Sequence, residues 1–291
     1  MKDAAWDDLK TVMALVRHGS LAAAGAALRL NYTTVARRIA RAEAALGTTL
    51  FERLKDGYVP TDAAMLVAAH AGEMEVREHD LMRRLAGRDG TLEGALTITA
   101  PQLLIAYVLP AALAQFRGLY PKVDLKVRAT NDILDLSRRE ADLGIRISRT
   151  PGDTLTGLRL AEQHSASFAS PGWAERIAKD PGAPIDWILY ETHDDVPKAA
   201  REAYPSSRVQ YRFDDMIAMA GAAQAGLGVV RMPMFLGRSL PGLMQVPLLP
   251  PQPYMDVWMV AHPDVWPGAK VRAFRDVLKA DMKTRRALFV A

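Results

Sequence analysis

Three arginines, Arg37, Arg38 and Arg41, follow closely behind Asn31-Tyr32-Thr33-Thr34. A guanidinium carries its donors in a fixed fork, so it can bond the O6 and N7 of a guanine with both arms or neutralise a phosphate. Two further arginines, Arg146 and Arg231, lie near the ends of apolar runs that read as strands. There a guanidinium suits either a small anion or a structural ion pair. The six histidines are scattered, and His70 and His79 lack the spacing of metal ligands on a helix. Asp194-Asp195 and Asp214-Asp215 read as a loop and a helix start rather than as catalytic pairs. No dinucleotide fingerprint after a strand, phosphate loop, Gly-x-Ser-x-Gly or His-Glu-x-x-His is present. The expectation is therefore no catalytic residue, no metal and no cofactor.

The arginines around position 40 need rigid elements to aim them. Leu9, Val12, Met13 and Val16 recur at i, i+3, i+4 and i+7, the apolar face of a first helix. Gly19 suits a left-handed terminator, and Ser20 can cap a second, alanine-rich helix with Leu21, Ala24 and Leu28 inward. Asn31 caps a third helix, whose apolar stripe is Val35, Ile39, Ala42 and Leu46. At about 100° per residue, Thr33, Arg37 and Arg41 fall opposite that stripe, flanked by Thr34 and Arg38. Gly47 ends the helix. Phe51–Leu54, the turn Lys55-Asp56-Gly57 and Tyr58–Pro60 then read as a short hairpin whose Arg53 and Lys55 can reach phosphates. For a lone helix, a solvated basic face is the competing reading; the capped helix before it and the hairpin after it favour DNA.

This segment resembles the LysR-type transcriptional regulators. Their amino-terminal pattern is matched by Gly19-Ser20-Leu21, Ala23-Ala24, Leu28, the stretch Asn31–Ile39, Leu46-Gly47 and Leu50-Phe51-Glu52-Arg53. Thr33 stands where the family has proline, Ala36 where it has serine, Tyr32 where it has glutamine and Ala64 where it has glycine. The first three fall where the family touches DNA, so the resemblance implies the docking mode but not the site sequence. It implies DNA contacts from Ser20, Asn31, Tyr32, Thr33, Thr34, Arg37, Arg38, Arg41, Arg53 and Lys55.

Composition agrees. The 291 residues carry a formal net charge of +4, and residues 1–61 hold nine Lys/Arg against six Asp/Glu. That excess has the sign for nucleic acid. Zero cysteines exclude disulfides and thiolate metal sites. The amino terminus lacks the apolar run of a signal peptide, and no stretch approaches the roughly 18 apolar residues that span a bilayer. A cytoplasmic, nucleoid-associated protein without membrane contact is expected.

From Thr61 to about residue 87 the chain is free of proline, and Met65, Ala69, Gly72, Val76 and His79 recur at steps of four and three. This is a weak coiled-coil seam, or an amphipathic helix packed on its own chain. In the family the corresponding helix pairs two subunits, which implies a homodimer or homotetramer presenting two recognition helices to two half-sites. Gly87–Gly90 marks a boundary.

Beyond Leu92 strands and helices alternate. Strands are expected at Ala95–Thr99, Val123–Ala129, Ala141–Ile147, Ser165–Ala169, Trp187–Tyr190, Val209–Phe213, Gly228–Met232 and Met255–Ala261. Helices are expected at Leu103–Tyr120, 132–139, Asp214–Ala225 and Val271–Lys283. Such an order argues for mostly parallel sheets with helices on both faces. Glu140–Arg146, Ala169–Gly172 and Gly226–Val230 again match the family, whose effector-binding part has two lobes crossed twice by the chain. The overall expectation is an α/β protein. A winged helix-turn-helix covers 1–61, a linker and dimerisation helix 62–90, and a two-lobed periplasmic-binding-protein-like effector domain 91–291. By analogy with the family, lobe I is 91–162 and 267–291, and lobe II is 163–266.

Ligands in such sheets bind beyond the carboxyl ends of strands. The candidate effector residues are Thr99, Ala100, Pro101, Gln102, Thr130, Asn131, Arg146 and Ile147 from lobe I. Lobe II adds His164, Phe168, Phe213, Arg231 and Met232. The helix opened by Gln102 would favour a carboxylate, and the two arginines admit an anionic effector. The implied partners are double-stranded promoter DNA, a small molecule, a second copy of the chain and RNA polymerase. A two-lobed solute-binding protein and an enzyme are the alternatives. The DNA-reading head disfavours the first, and the missing motifs disfavour the second.

Overall fold

The computed structural model describes residues 3–54, 57–88, 92–130, 141–180 and 182–291. They form two compact units, Met1–Arg83 and Arg84–Ala291.

The first unit opens with α1 (Trp6–His18), α2 (Leu21–Leu28) and α3 (Tyr32–Leu46). Val12, Leu15, Ala24, Val35, Ile39 and Ala42 close one core, as the apolar spacing requires. Gly19 and Gly47 both take the left-handed conformation that ends a helix without a Cβ penalty. The turn between α2 and α3 is made by a different residue. Arg29 adopts φ 56° there, and Leu30 folds back to donate to the Gly25 carbonyl at 2.8 Å. A Cβ on Gly25 would lie 2.6 Å from the Leu30 oxygen, so only glycine lets the turn close this tightly. β1 (Phe51–Leu54) and β2 (Gly57–Pro60) pair antiparallel as the expected wing. Glu43 anchors the wing by accepting from the Leu50 and Phe51 amides at 2.9 and 3.3 Å.

Thr61 caps α4 (Asp62–Arg88), accepting from the Ala64 amide at 3.3 Å. Lys10 and Arg17 of α1 pair with Glu78 and Glu75 of α4 at 3.2 and 3.0 Å. Of the expected seam, Met65, Ala69 and Val76 are exposed. Gly72 lies at its edge near Arg17 and Met13, and the His79 side chain is outside the described residues.

The second unit holds two sheets. In lobe I the order is β4-β3-β5-β13-β6, with β3 (Gly94–Ala100), β4 (Val123–Ala129), β5 (Leu143–Ser148), β6 (Thr156–Ala161) and β13 (Asp256–Ala261). β3 runs parallel to β4 and β5, whereas β13 is antiparallel to both β5 and β6. α11 (Ala269–Thr284) covers this sheet, with Phe274 edge-on to Phe116 at 5.2 Å. The helix expected over 103–120 is two, α5 (Gln102–Tyr107) and α6 (Pro110–Leu119), because Pro110 offers no N–H to extend the first and sits at the start of the second. The helix expected at 132–139 lies outside the described residues.

Lobe II is ordered β11-β7-β10-β8-β9. It is built from β7 (His164–Ala169), β8 (Asp186–Tyr190), β9 (Arg208–Phe213), β10 (Val229–Pro233) and β11 (Met244–Gln245), with β12 (Gln252–Pro253) also on β7. α7 (Pro171–Lys179), α8 (Lys198–Ala203), α9 (Met216–Gln224) and α10 (Met234–Ser239) complete it. β7 is antiparallel to β10, so both sheets are mixed rather than mostly parallel.

The first crossing falls at Glu162-Gln163, between β6 of one sheet and β7 of the other. The second does not fall at the lobe bound of 266–267. β13 is hydrogen-bonded inside the lobe I sheet, so the chain has already returned by Tyr254-Met255, and residues 255–266 belong to lobe I. The two crossings touch. The Tyr254 amide donates to the Gln163 carbonyl at 2.8 Å, and the fully buried Gln163 side chain donates to the Met255 carbonyl.

Candidate nucleic-acid interface and ligand cavity

The exposed face of α3 is built from its cap outward. Asn31 accepts from the Thr34 amide at 2.7 Å and from the Thr33 hydroxyl at 2.8 Å, which fixes the first turn. Ser20 likewise accepts from the Ala23 amide at 3.2 Å, so its hydroxyl serves the start of α2. Tyr32, 64% exposed, projects from the helix start.

The three arginines are not equivalent. Arg38 donates to Asp7 at 2.8 Å. Arg41 grips Asp8 with two nitrogens, Nε at 3.1 Å and Nη2 closer. The bond to Asp8, and then its charge, raises the Arg41 pKa above the usual arginine value. Arg37 is exposed and has no hydrogen-bond or ion-pair partner among the described residues. Sequence spacing put Arg37 and Arg41 on one face correctly, but it did not register that Asp7 and Asp8 open the neighbouring helix. The Arg53 side chain and all of Lys55 lie outside the described residues; the Arg53 backbone pairs with Tyr58 in the wing.

In lobe I, Thr99 and Ala100 are fully buried at the end of β3. Arg146 on β5 donates Nη1 to the Thr99 and Ile145 carbonyls at 3.1 and 3.0 Å. Its Nη2 and the Thr99 hydroxyl are buried without hydrogen-bond partners among the described residues. Burial lowers the Arg146 pKa, and among the described residues no carboxylate answers its charge. Gly144 leaves room for the guanidinium: a Cβ there would lie 3.3 Å from Arg146 Cζ. Pro101 and Gln102 begin α5, whose six residues make a short dipole. Thr130 donates its amide to the Ala100 carbonyl at 3.0 Å, Ile147 packs against the core, and Asn131 is outside the described residues.

Lobe II contains a cavity of about 190 Å³ over α9. Of the five residues expected from this lobe, it brings together Arg231 and Met232. Arg231 donates Nη2 to the Pro250 and Ser165 carbonyls at 2.9 and 3.2 Å, while Nη1 is buried without a partner. Burial lowers its pKa as well. Tyr190 and Tyr254 also line it, both with phenols pushed up chiefly by burial. Ile188, Leu189, Met216 and Met219 supply the apolar floor.

Three expected contacts are elsewhere. His164 is held by the carboxy-terminal segment: its Nδ1 accepts from the Ala291 amide at 3.2 Å, and its amide donates to Phe289 at 2.8 Å. Phe168 is core, its ring lying where a Cβ on Gly237 would come within 2.5 Å. Phe213 packs on the main core beside the sheet. Tyr190 was within reach of the strand-end argument, since it closes the apolar run Trp187–Tyr190. Tyr254 was not, because its placement depends on where the second crossing falls.

Among the described residues no group of three His, Asp or Glu is arranged to hold a metal, and no helix is long and apolar enough to cross a membrane.

Residues 6–65 match the family described as "Bacterial regulatory helix-turn-helix protein, lysR family", and residues 89–283 match "LysR substrate binding domain". The chain is 26% identical over 265 residues to the Mau operon transcriptional activator of Paracoccus denitrificans, covering 89% of each. It is 28% identical over 239 residues to the transcriptional activator AmpR of Rhodobacter capsulatus, across 79% of this chain and 80% of that one. The full-length Vibrio cholerae virulence activator AphB has a similar fold, with a TM-score of 0.56 at 20% identity over 94% of this chain and 98% of that one.

Proposed function

The chain belongs to the LysR family of bacterial transcriptional regulators, and from that premise we propose that Arg37, with Tyr32 and Thr33 beside it, reads operator bases in the major groove. One observation carries this assignment: Arg38 and Arg41 are tied to Asp7 and Asp8, while Arg37 projects without a partner among the described residues. A free guanidinium on an exposed helix face can meet a guanine edge; a guanidinium committed to a carboxylate serves the fold first.

The exposed Met65, Ala69 and Val76 stripe on α4 supports pairing of two copies. Two heads then address two half-sites, with a dimer as the unit and a tetramer as its further pairing. In the carboxy-terminal unit a small molecule binds one arrangement of the lobes better than another. That differential affinity resets the heads and alters promoter occupancy or DNA bending, and RNA polymerase is the partner that feels it. The protein acts on nucleoid DNA in the cytoplasm.

The test is genome-wide fragment binding by the purified protein at fixed salt, with Arg37→Ala as control. A compact, roughly two-fold-symmetric site lost in the variant supports the assignment. Binding without sequence preference in both proteins rejects it.

A further inference from the structure

The cavity in lobe II is distinguished by its polar end. Arg231 is a cation taken partly out of water, yet its two hydrogen-bonded partners are backbone carbonyls, which do not neutralise a charge. Nη1 is buried with no hydrogen-bond partner among the described residues. A native structure rarely leaves a buried charged donor unmet, because the lost hydration is costly. The carboxylate at the rim, Asp195, is already paired with Arg201. Tyr254 presents a second polar group, with no hydrogen bond to its hydroxyl among the described residues.

The rest of the lining selects for an apolar body. Ile188, Leu189, Met216 and Met219 offer no charge, and thioethers pack well on aromatic or aliphatic surface. At about 190 Å³ the space equals on the order of six waters, below the range of drug-sized sites. A guanidinium with no carboxylate partner among the described residues and a tyrosine hydroxyl, both lining the cavity, match the charge and the two oxygens of a carboxylate.

The position of these groups ties them to the link between the lobes. Arg231 bonds the carbonyl of Ser165, just after the first crossing, and Tyr254 is itself part of the second. We propose that this cavity binds a small monocarboxylate with an apolar body, its carboxylate bridging Arg231 and Tyr254, so that occupancy is sensed directly at the paired crossing strands. The proposal rests on the reading of the carboxy-terminal unit as an effector sensor. It places the ligand within lobe II rather than on Arg146.

The test uses the full chain and three probes, benzoate, phenylacetate and hexanoate, with benzamide as the neutral twin. Calorimetry measures binding to the wild type and to Arg231→Gln, Tyr254→Phe and Arg146→Gln. The same proteins are assayed with each probe on a promoter fragment recovered by the genome-wide experiment. The expected result is binding of at least one carboxylate and not of benzamide, weakened about tenfold or more by Arg231→Gln and by Tyr254→Phe, and unchanged by Arg146→Gln. Tyr254→Phe removes one hydroxyl, so its effect is read even if Arg231→Gln fails to fold. Failure of all three carboxylates to bind at millimolar concentration overturns the proposal. A probe that shifts promoter binding but depends on Arg146 alone overturns the location and leaves the sensor reading intact. Carboxylate binding through Arg231 that leaves promoter binding unmoved keeps the site and overturns its regulatory role.

Discussion

The carboxylate of Asp8, in the first turn of α1, is gripped by two nitrogens of Arg41 in the third turn of α3. The acid side chain is 6% exposed and the arginine 56%, so the pair joins a buried anion to a surface cation. Arg41 is therefore a positioning residue that ties α3 to the first turn of α1.

Breaking the pair from the two ends gives different outcomes. Arg41→Ala leaves a buried charge unanswered and is expected to lower the melting temperature of the head. Asp8→Asn frees the guanidinium for phosphate, and the slope of log K against log salt on random DNA steepens by about 0.9 for each additional phosphate neutralised. A slope unchanged in Asp8→Asn means that Arg41 never reaches the backbone.

For Arg37 the expected signature is loss of discrimination. Arg37→Ala costs about 1–3 kcal/mol on the specific site and less on random DNA, as read by titration of both at one salt concentration. Equal losses on the two make Arg37 a phosphate clamp.

Arg146 and Arg231 each sit half-buried without a carboxylate partner among the described residues. Replacing such a cation by an isosteric apolar chain removes a desolvation cost. Without effector, Arg146→Met and Arg231→Met are expected to melt no lower than the wild type. Arg146→Ala is expected to leave DNA affinity intact; if it blunts the promoter's response to an active small molecule, Arg146 joins the effector site. A clear drop in melting temperature in the methionine variants assigns both arginines to structure.

Gln163 bonds across the two crossings, and its side-chain oxygen is buried without a partner. Gln163→Ala is expected to cost about 1 kcal/mol or more and to speed amide exchange at Tyr254 before the rest of lobe II. Uniform acceleration across the lobe means that the clasp has no local role.

Tyr190 and Tyr254 have raised pKa values, Tyr190 through burial first and then through Tyr254, Asp215 and Asp214 nearby. The folded state holds these protons more tightly than the unfolded state, so stability is full below the ordinary tyrosine pKa of about 10 and falls as pH rises past it. Melting temperatures between about pH 9 and 11 should decline less steeply in Tyr254→Phe than in the wild type. Parallel curves count against the burial of that phenol.

The head was legible in sequence because its signals are local. Caps, glycine terminators and a four-residue stripe are each decided within a turn or two of helix, and Ser20, Asn31, Gly19 and Gly47 all do what their types suggest. The pairing of Arg41 with Asp8 spans 33 positions and leaves no periodic trace. In the second unit strands were legible from apolar alternation, but their partners were not. The assignment of β13 to lobe I depends on its register with β5 and β6, which hydropathy does not encode. The cavity was half-seen for the same reason. Arg231 and Met232 lie at a strand end, whereas Tyr254 reaches them only through the path of the returning chain.

That path also sets an order of assembly. β13 lies between β5 and β6, yet both of those leave the ribosome well before it, with the whole of lobe II between. Until the chain comes back, β5 and β6 each wait with an unfilled edge, a template for wrong pairing. Lobe II, with its own continuous stretch of chain, has the means to fold in that interval and bring Gln163 and Tyr254 together. The gap over which β13 must close is then short, so nascent lobe I matures last although its first strand is made first.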